Sequence, residues 1–230
     1  MTGRMIMGRY ERNMPAISPE EQAELAGKRV VIIGCGGLGG YIIELLARIG
    51  VGHLTVVDGD VFAESNLNRQ LFSTEENLGQ PKPLSAVRRL SIVNSEVSVR
   101  PICEKLTEQN AEQILKGHDV AVDALDNGPS RLLLAAACRK VGIPLVSGSI
   151  GGWYGRVFVL EPEHRADFLW EDGNGQITFG NLSCTAACVA SVQVAETVKV
   201  LLGRGRLLKS RLLELNLLQA RWEEIPLDLS

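Results

Sequence analysis

The sequence predicts an α/β protein of Rossmann-like type: a mostly parallel sheet with helices on both faces, extended by antiparallel strands at its C-terminal end. Three observations predict it. Short continuous apolar runs of strand length alternate with helical patterns along the first two thirds of the chain. A glycine-rich turn, GCGGLGG, joins the first such strand to a helix. Two alternating runs, residues 212–217 and 221–225, close the chain in the pattern of an edge hairpin.

The elements follow in order. Ser18 is placed to cap a short helix, SPEEQAELAG, with Pro19 at its first position and Glu21 three residues after the cap. RVVII at 29–33 reads as a strand covered on both faces. Residues 41–49 have helical apolar spacing that Gly50 ends, and 53–57 is the next strand. Helix is expected at 83–92, 108–116 and 129–141, and strand at 97–102, 120–123 and 144–149. GRVFVLEP continues as a strand, and residues 161–182 form a long polar crossover loop. A long helix follows. Its Gln193, Glu196 and Lys199 recur every three positions, which marks a polar face and argues against a membrane span. Residues 1–27 are read as an N-terminal helical arm and 28–230 as the main domain.

Bulk properties exclude several functions. A chain of 230 residues with 45% apolar and 22% charged composition suits one soluble α/β domain. A net charge of −3 gives no broad basic surface for nucleic acid. The five cysteines form no CxxC pair, so neither a disulfide framework nor a zinc site is expected, and reduced thiols place the protein in the cytoplasm. The N-terminus has no apolar core of signal-peptide length.

Gly34, Gly36 and Gly39 form GxGxxG between a strand and a helix, with Gly37 inside the turn. Such a turn brings backbone N–H groups and the positive end of a helix to a phosphate. Asp58 ends the following strand about 20 residues on, where a ribose-binding acid belongs. The polar run SNLNRQ then supplies Asn66 and Arg69, and Lys82 follows in LGQPKP. A dinucleotide leaves such cations without use, whereas a triphosphate needs them. Asp126, in DALDN, is at a strand's carboxyl end, suited to holding Mg²⁺ between phosphates or to capping the next helix. Cys184, at the start of the long helix, is read either as a nucleophile or as a packing residue.

With these motifs assembled, the chain resembles the MoeB/ThiF/HesA family of ubiquitin-activating-enzyme-like adenylyltransferases. The resemblance rests on RYER at 9–12, GCGGLG at 34–39, Asp58, NLNRQ at 66–70, GQPK at 79–82, DNGPSR at 126–131 and SVQVAETVKVLLG at 191–203. It implies an enzyme that uses ATP and Mg²⁺ to adenylate the C-terminal Gly-Gly carboxylate of a small ubiquitin-like sulfur carrier. Asp58 would hold the ribose, Arg69 and Lys82 the phosphates with Asn66 beside them, and Asp126 the metal. Arg12 matches an arginine supplied across a dimer interface, so a homodimer is implied. Two alternatives compete. An NAD-dependent dehydrogenase accounts for the glycine loop and Asp58 but not for Arg69, Lys82 and Asp126. A non-catalytic carrier-binding scaffold would show erosion of these residues, and they are all present.

Overall fold

The computed structural model describes residues 8–165, 168–171 and 179–228. The first seven residues of the expected arm, and positions 166–167 and 172–178 of the expected crossover loop, lie outside the described residues. Eight strands lie among the described residues: β1 (Arg29–Ile33), β2 (His53–Val57), β3 (Ser98–Ile102), β4 (Val120–Asp123), β5 (Leu145–Gly151), β6 (Tyr154–Leu160), β7 (Arg211–Asn216) and β8 (Arg221–Pro226). They form one sheet in the order β3-β2-β1-β4-β5-β6-β7-β8. Pairing is parallel from β3 to β5 and antiparallel from β5 to β8.

Among the described residues seven α-helices flank the sheet: α1 (Pro19–Gly27), α2 (Gly37–Ile49), α3 (Lys82–Val93), α4 (Ala111–Leu115), α5 (Gly128–Val141), α6 (Phe168–Glu171) and α7 (Ser183–Leu202). The two-residue period of β1 makes two cores. Val30 and Ile32 point to one face, with Leu46 of α2, Leu90 of α3 and Val194 of α7. Val31 and Ile33 point to the other, with Leu115 of α4 and Leu134 of α5. That is why RVVII is apolar without alternation.

The Ser18 cap forms as expected, as a capping box closed by Glu21. The helix expected at 108–116 is shorter, because Asn110 folds back on its own backbone. Its Oδ1 accepts from the Thr107 N–H at 2.8 Å, and its Nδ2 donates to Lys105 O at 3.0 Å. The polar face of α7 also differs from expectation. Gln193 and Glu196 are buried rather than solvated. The Gln193 amide donates to Asp123 O at 2.7 Å, and the Glu196 carboxylate accepts from the Leu208 N–H at 2.9 Å. These polar groups tie α7 to the sheet. α7 is long and apolar enough to cross a bilayer, yet it packs on α2 and beneath β5 and β6 as a core helix.

His118 precedes β4 with Nε2 2.8 Å from Thr55 Oγ1 and Nδ1 3.0 Å from Leu115 O. Burial lowers its pKa from the ordinary value. The neutral ring is therefore favoured on folding. Its contribution is complete above the unfolded pKa of about 6.5 and is lost as pH falls toward the lower folded value. The urea midpoint is expected to drop between pH 7 and pH 5, and to drop less in His118→Gln. An equal drop in both proteins shows that this ring does not contribute.

Candidate active site

Strand β1 pairs with both β2 and β4: the chain runs outward through β2 and β3, then crosses back to place β4 on the other side of β1. Ligands of open α/β sheets bind at the carboxyl ends of strands where this reversal occurs. A cavity of about 510 Å³ opens there. It is lined from the ends of β1 (Gly34, Gly36), β2 (Asp58), β4 (Asp126) and β5 (Ser149), and by Lys82 from α3.

The glycines divide into two kinds. Gly34 has φ +102°, and a Cβ there would lie 2.5 Å from Ala124 O. A Cβ on Gly39 would lie 1.9 Å from Gly34 O. These two make the turn and seat α2 against it. Gly36 and Gly37 instead line the cavity, where a Cβ would meet only the side chains of Gln70 and Arg69 at 3.4 and 3.7 Å. Backbone N–H groups at the start of α2 are thus open to an anion.

Asp58 is fixed by two backbone donors, Cys35 N–H to Oδ2 and Asp60 N–H to Oδ1, each at 2.8 Å. Lys82, in the first turn of α3, is buried with Nζ 3.9 Å from Asp58 and 3.6 Å from Asp60. Arg69 lies along the first turn of α2, and its Nη1 donates to Ser65 O and Asn68 Oδ1, both at 3.0 Å. Asp126 is exposed at the cavity wall. It is not the helix cap: Asn127 holds that position, its Oδ1 accepting from the Ser130 N–H at 2.9 Å. The Asp126 carboxylate accepts from Asn127 Nδ2 at 3.1 Å through Oδ1 and presents its other oxygen at the cavity wall.

Asn66 is placed differently. It does not line the cavity. Its Oδ1 accepts from the Ala63 N–H at 3.0 Å, and its carbonyl accepts from the N–H groups of Arg69 and Gln70 at 3.1 and 2.9 Å. Its contacts close the turn that presents Arg69. Arg12 is also remote from the cavity. Its neighbour Tyr10 packs on Gly50, and Asn13 donates to Ile49 O at 3.2 Å, both beyond the far end of α2. α2 has 13 residues, which is about 20 Å of helix. Cys35 is buried, and burial pushes its thiol well up, as suits a packing residue. Cys184 is exposed at the start of α7, while the buried residue there is Thr185. Gln70 and Arg131, neither of which sequence reasoning assigned to the site, also line the cavity. Gln70 belongs to the polar run of NLNRQ but is given no role there, and Arg131 sits unremarked inside DNGPSR.

A glycine turn that opens N–H groups to an anion, two cations and an exposed carboxylate suit a nucleotide with a phosphate chain. The model of the ThiF family matches residues 10–230. The chain belongs to the ThiF family. It is 38% identical over 229 residues to the SAMP-activating enzyme E1 of Haloferax volcanii, covering 96% of this chain and 85% of that protein. It is 37% identical over 234 residues to the sulfur carrier protein adenylyltransferase of Thermus thermophilus, covering 95% and 86%. It is 36% identical over 208 residues to the sulfur carrier protein ThiS adenylyltransferase of Bacillus subtilis, covering 86% and 62%. In fold it is similar to E. coli MccB crystallised with ATP, at a TM-score of 0.88 and 20% identity, covering 99% of this chain and 73% of that one. As a ThiF-family protein it is an adenylyltransferase, and the dehydrogenase alternative falls.

Proposed function

We propose that this ThiF-family enzyme adenylates the C-terminal Gly-Gly carboxylate of a small ubiquitin-like sulfur carrier. The observation that carries the reading is the set Arg69, Lys82 and Asp126 around one cavity beside the open N-terminus of α2. The ribose belongs at Asp58 and the phosphates between the glycine turn, Arg69 and Lys82. Asp126 would hold Mg²⁺; its exposed carboxylate and the neighbouring phosphate oxygens make the all-oxygen donor set that ion prefers. When bound, the ion neutralises charge on the departing phosphates.

The reaction then balances without a covalent enzyme intermediate. A carboxylate oxygen of the carrier bonds to the α-phosphorus of ATP as the α–β bridging P–O bond breaks. Acyl-adenylate and pyrophosphate leave with the proton count unchanged. Catalysis is positioning and charge neutralisation by fixed groups. Asn66 serves through the turn that aims Arg69 and Gln70. Arg12, held beyond the far end of its own α2, serves the cavity of a second copy in a homodimer. Residues 1–27 then form an interface arm and 28–230 the adenylation domain, with the crossover loop at 161–182. Five free thiols suit a reducing cytoplasm.

The test is mass spectrometry of ubiquitin-like carriers incubated with the enzyme, ATP and Mg²⁺. A carrier heavier by one AMP group, together with carrier-dependent ATP–pyrophosphate exchange, is the expected result. No adduct and no exchange with any carrier ending in Gly-Gly overturns the reading.

A further inference from the structure

Arg131, in the first turn of α5, is built into the cavity floor. Its Nη2 donates to Leu125 O at 2.5 Å and lies 3.3 Å from Gly148 O, a second acceptor. Its Nε is ion-paired with Asp123 Oδ2 at 3.3 Å but has no hydrogen-bond partner among the described residues. Asp123 is fully buried and held in turn by Ser147 Oγ at 2.7 Å and the Leu125 N–H at 2.9 Å. Its buried carboxyl is pushed up by desolvation and drawn back by the guanidinium. The arginine is thus clamped on two sides, and Nη1 has no hydrogen-bond partner among the described residues.

The position of this clamp matters. Asp58, Lys82 and the glycine turn occupy the β1–β2 side of the cavity. Leu125 follows β4 and Gly148 belongs to β5, so the guanidinium stands on the opposite side, next to Ser149 and Ile150. That side is left to whatever attacks the nucleotide. A rigidly held guanidinium with a spare donor recognises a carboxylate at little entropic cost. We infer that Arg131 is a binding residue of the acyl half of the site, its Nη1 donating to the carboxylate that attacks the α-phosphate, with Asp123 as its positioning residue. The inference rests on the adenylation reading. A purely structural arginine, tying Leu125 O to Gly148 O, predicts lost stability and unchanged recognition.

The discriminating experiment uses a carrier that supports exchange and the same carrier with its terminal carboxylate converted to carboxamide. The enzyme is expected to bind the acid more tightly than the amide. Arg131→Gln is expected to lose about 10- to 100-fold of that preference, the worth of one charge-assisted hydrogen bond, with the KM for ATP within about threefold of the parent. Full preference retained in Arg131→Gln overturns the inference, as does a rise confined to the KM for ATP. If Arg131→Gln fails to unfold cooperatively, Asp123→Asn keeps the cation and releases its anchor. That variant is expected to raise the KM for the carrier and not that for ATP, and unchanged carrier kinetics then overturn the inference. Absence of exchange with every carrier removes the adenylation reading itself. Exchange that ignores Arg131 removes only this inference.

Discussion

Arg69→Ala is expected to lower carrier-dependent ATP–pyrophosphate exchange by about 10²- to 10³-fold, the usual cost of deleting one fixed charge-stabilising donor. The fold is expected to survive. The acceptors that Arg69 satisfies, Ser65 O and Asn68 Oδ1, belong to exposed residues and can turn to water. A change in unfolding free energy within about 0.5 kcal/mol is expected for such a surface site. Arg69→Lys restores the charge but not the planar fork, so partial recovery of exchange is expected. Normal exchange in Arg69→Ala would remove this residue from the site.

Gly39→Ala is expected to act on the scaffold. The added methyl would sit 1.9 Å from Gly34 O, a backbone atom that cannot swing aside. Gly34 is itself held at positive φ, in a place where even a Cβ would meet Ala124 O. The start of α2 must therefore lift from the turn. A loss of roughly 3 kcal/mol is expected, at the upper end for overpacking, which is about 6–12 °C in midpoint for a chain of this size. The stabilisation by ATP should disappear with it. Gly37→Ala is the control: its methyl meets only the Arg69 side chain, at 3.7 Å. It is expected to keep the midpoint and lose nucleotide affinity. A wild-type midpoint in Gly39→Ala would show that the turn yields more readily than its geometry allows.

The strands were legible because those covered by helices on both faces, such as β1 and β4, have no polar alternation. The glycine turn was legible because its neighbours in the chain are also its neighbours in space. Gln193 and Glu196 were misread for the opposite reason. Spacing shows that polar residues share a face of a helix, but not whether that face meets water. The Gln193 partner, Asp123 O, lies 70 residues away in the chain. The same holds for the site. Asp58, Arg69, Lys82 and Asp126 line one cavity. Asn66 shares their motif, but its side chain is spent on a local turn, which a residue list cannot distinguish from ligand contact. Arg131 looked like an ordinary helix residue until Leu125 O, Gly148 O and Asp123 were brought around it by two separate segments, the end of β4 and β5.

The two margins of the sheet carry one more consequence. At one margin β3 holds Pro101, which has no N–H to offer a further strand. At the other, every residue of β8 is exposed, and Glu223, Glu224 and Pro226 stand along it. Charges and prolines on an outermost strand discourage continuation of a sheet into a neighbouring molecule. Self-association of this chain is therefore steered to its helices and loops, and a concentrated solution is protected from growing ribbons of joined sheets.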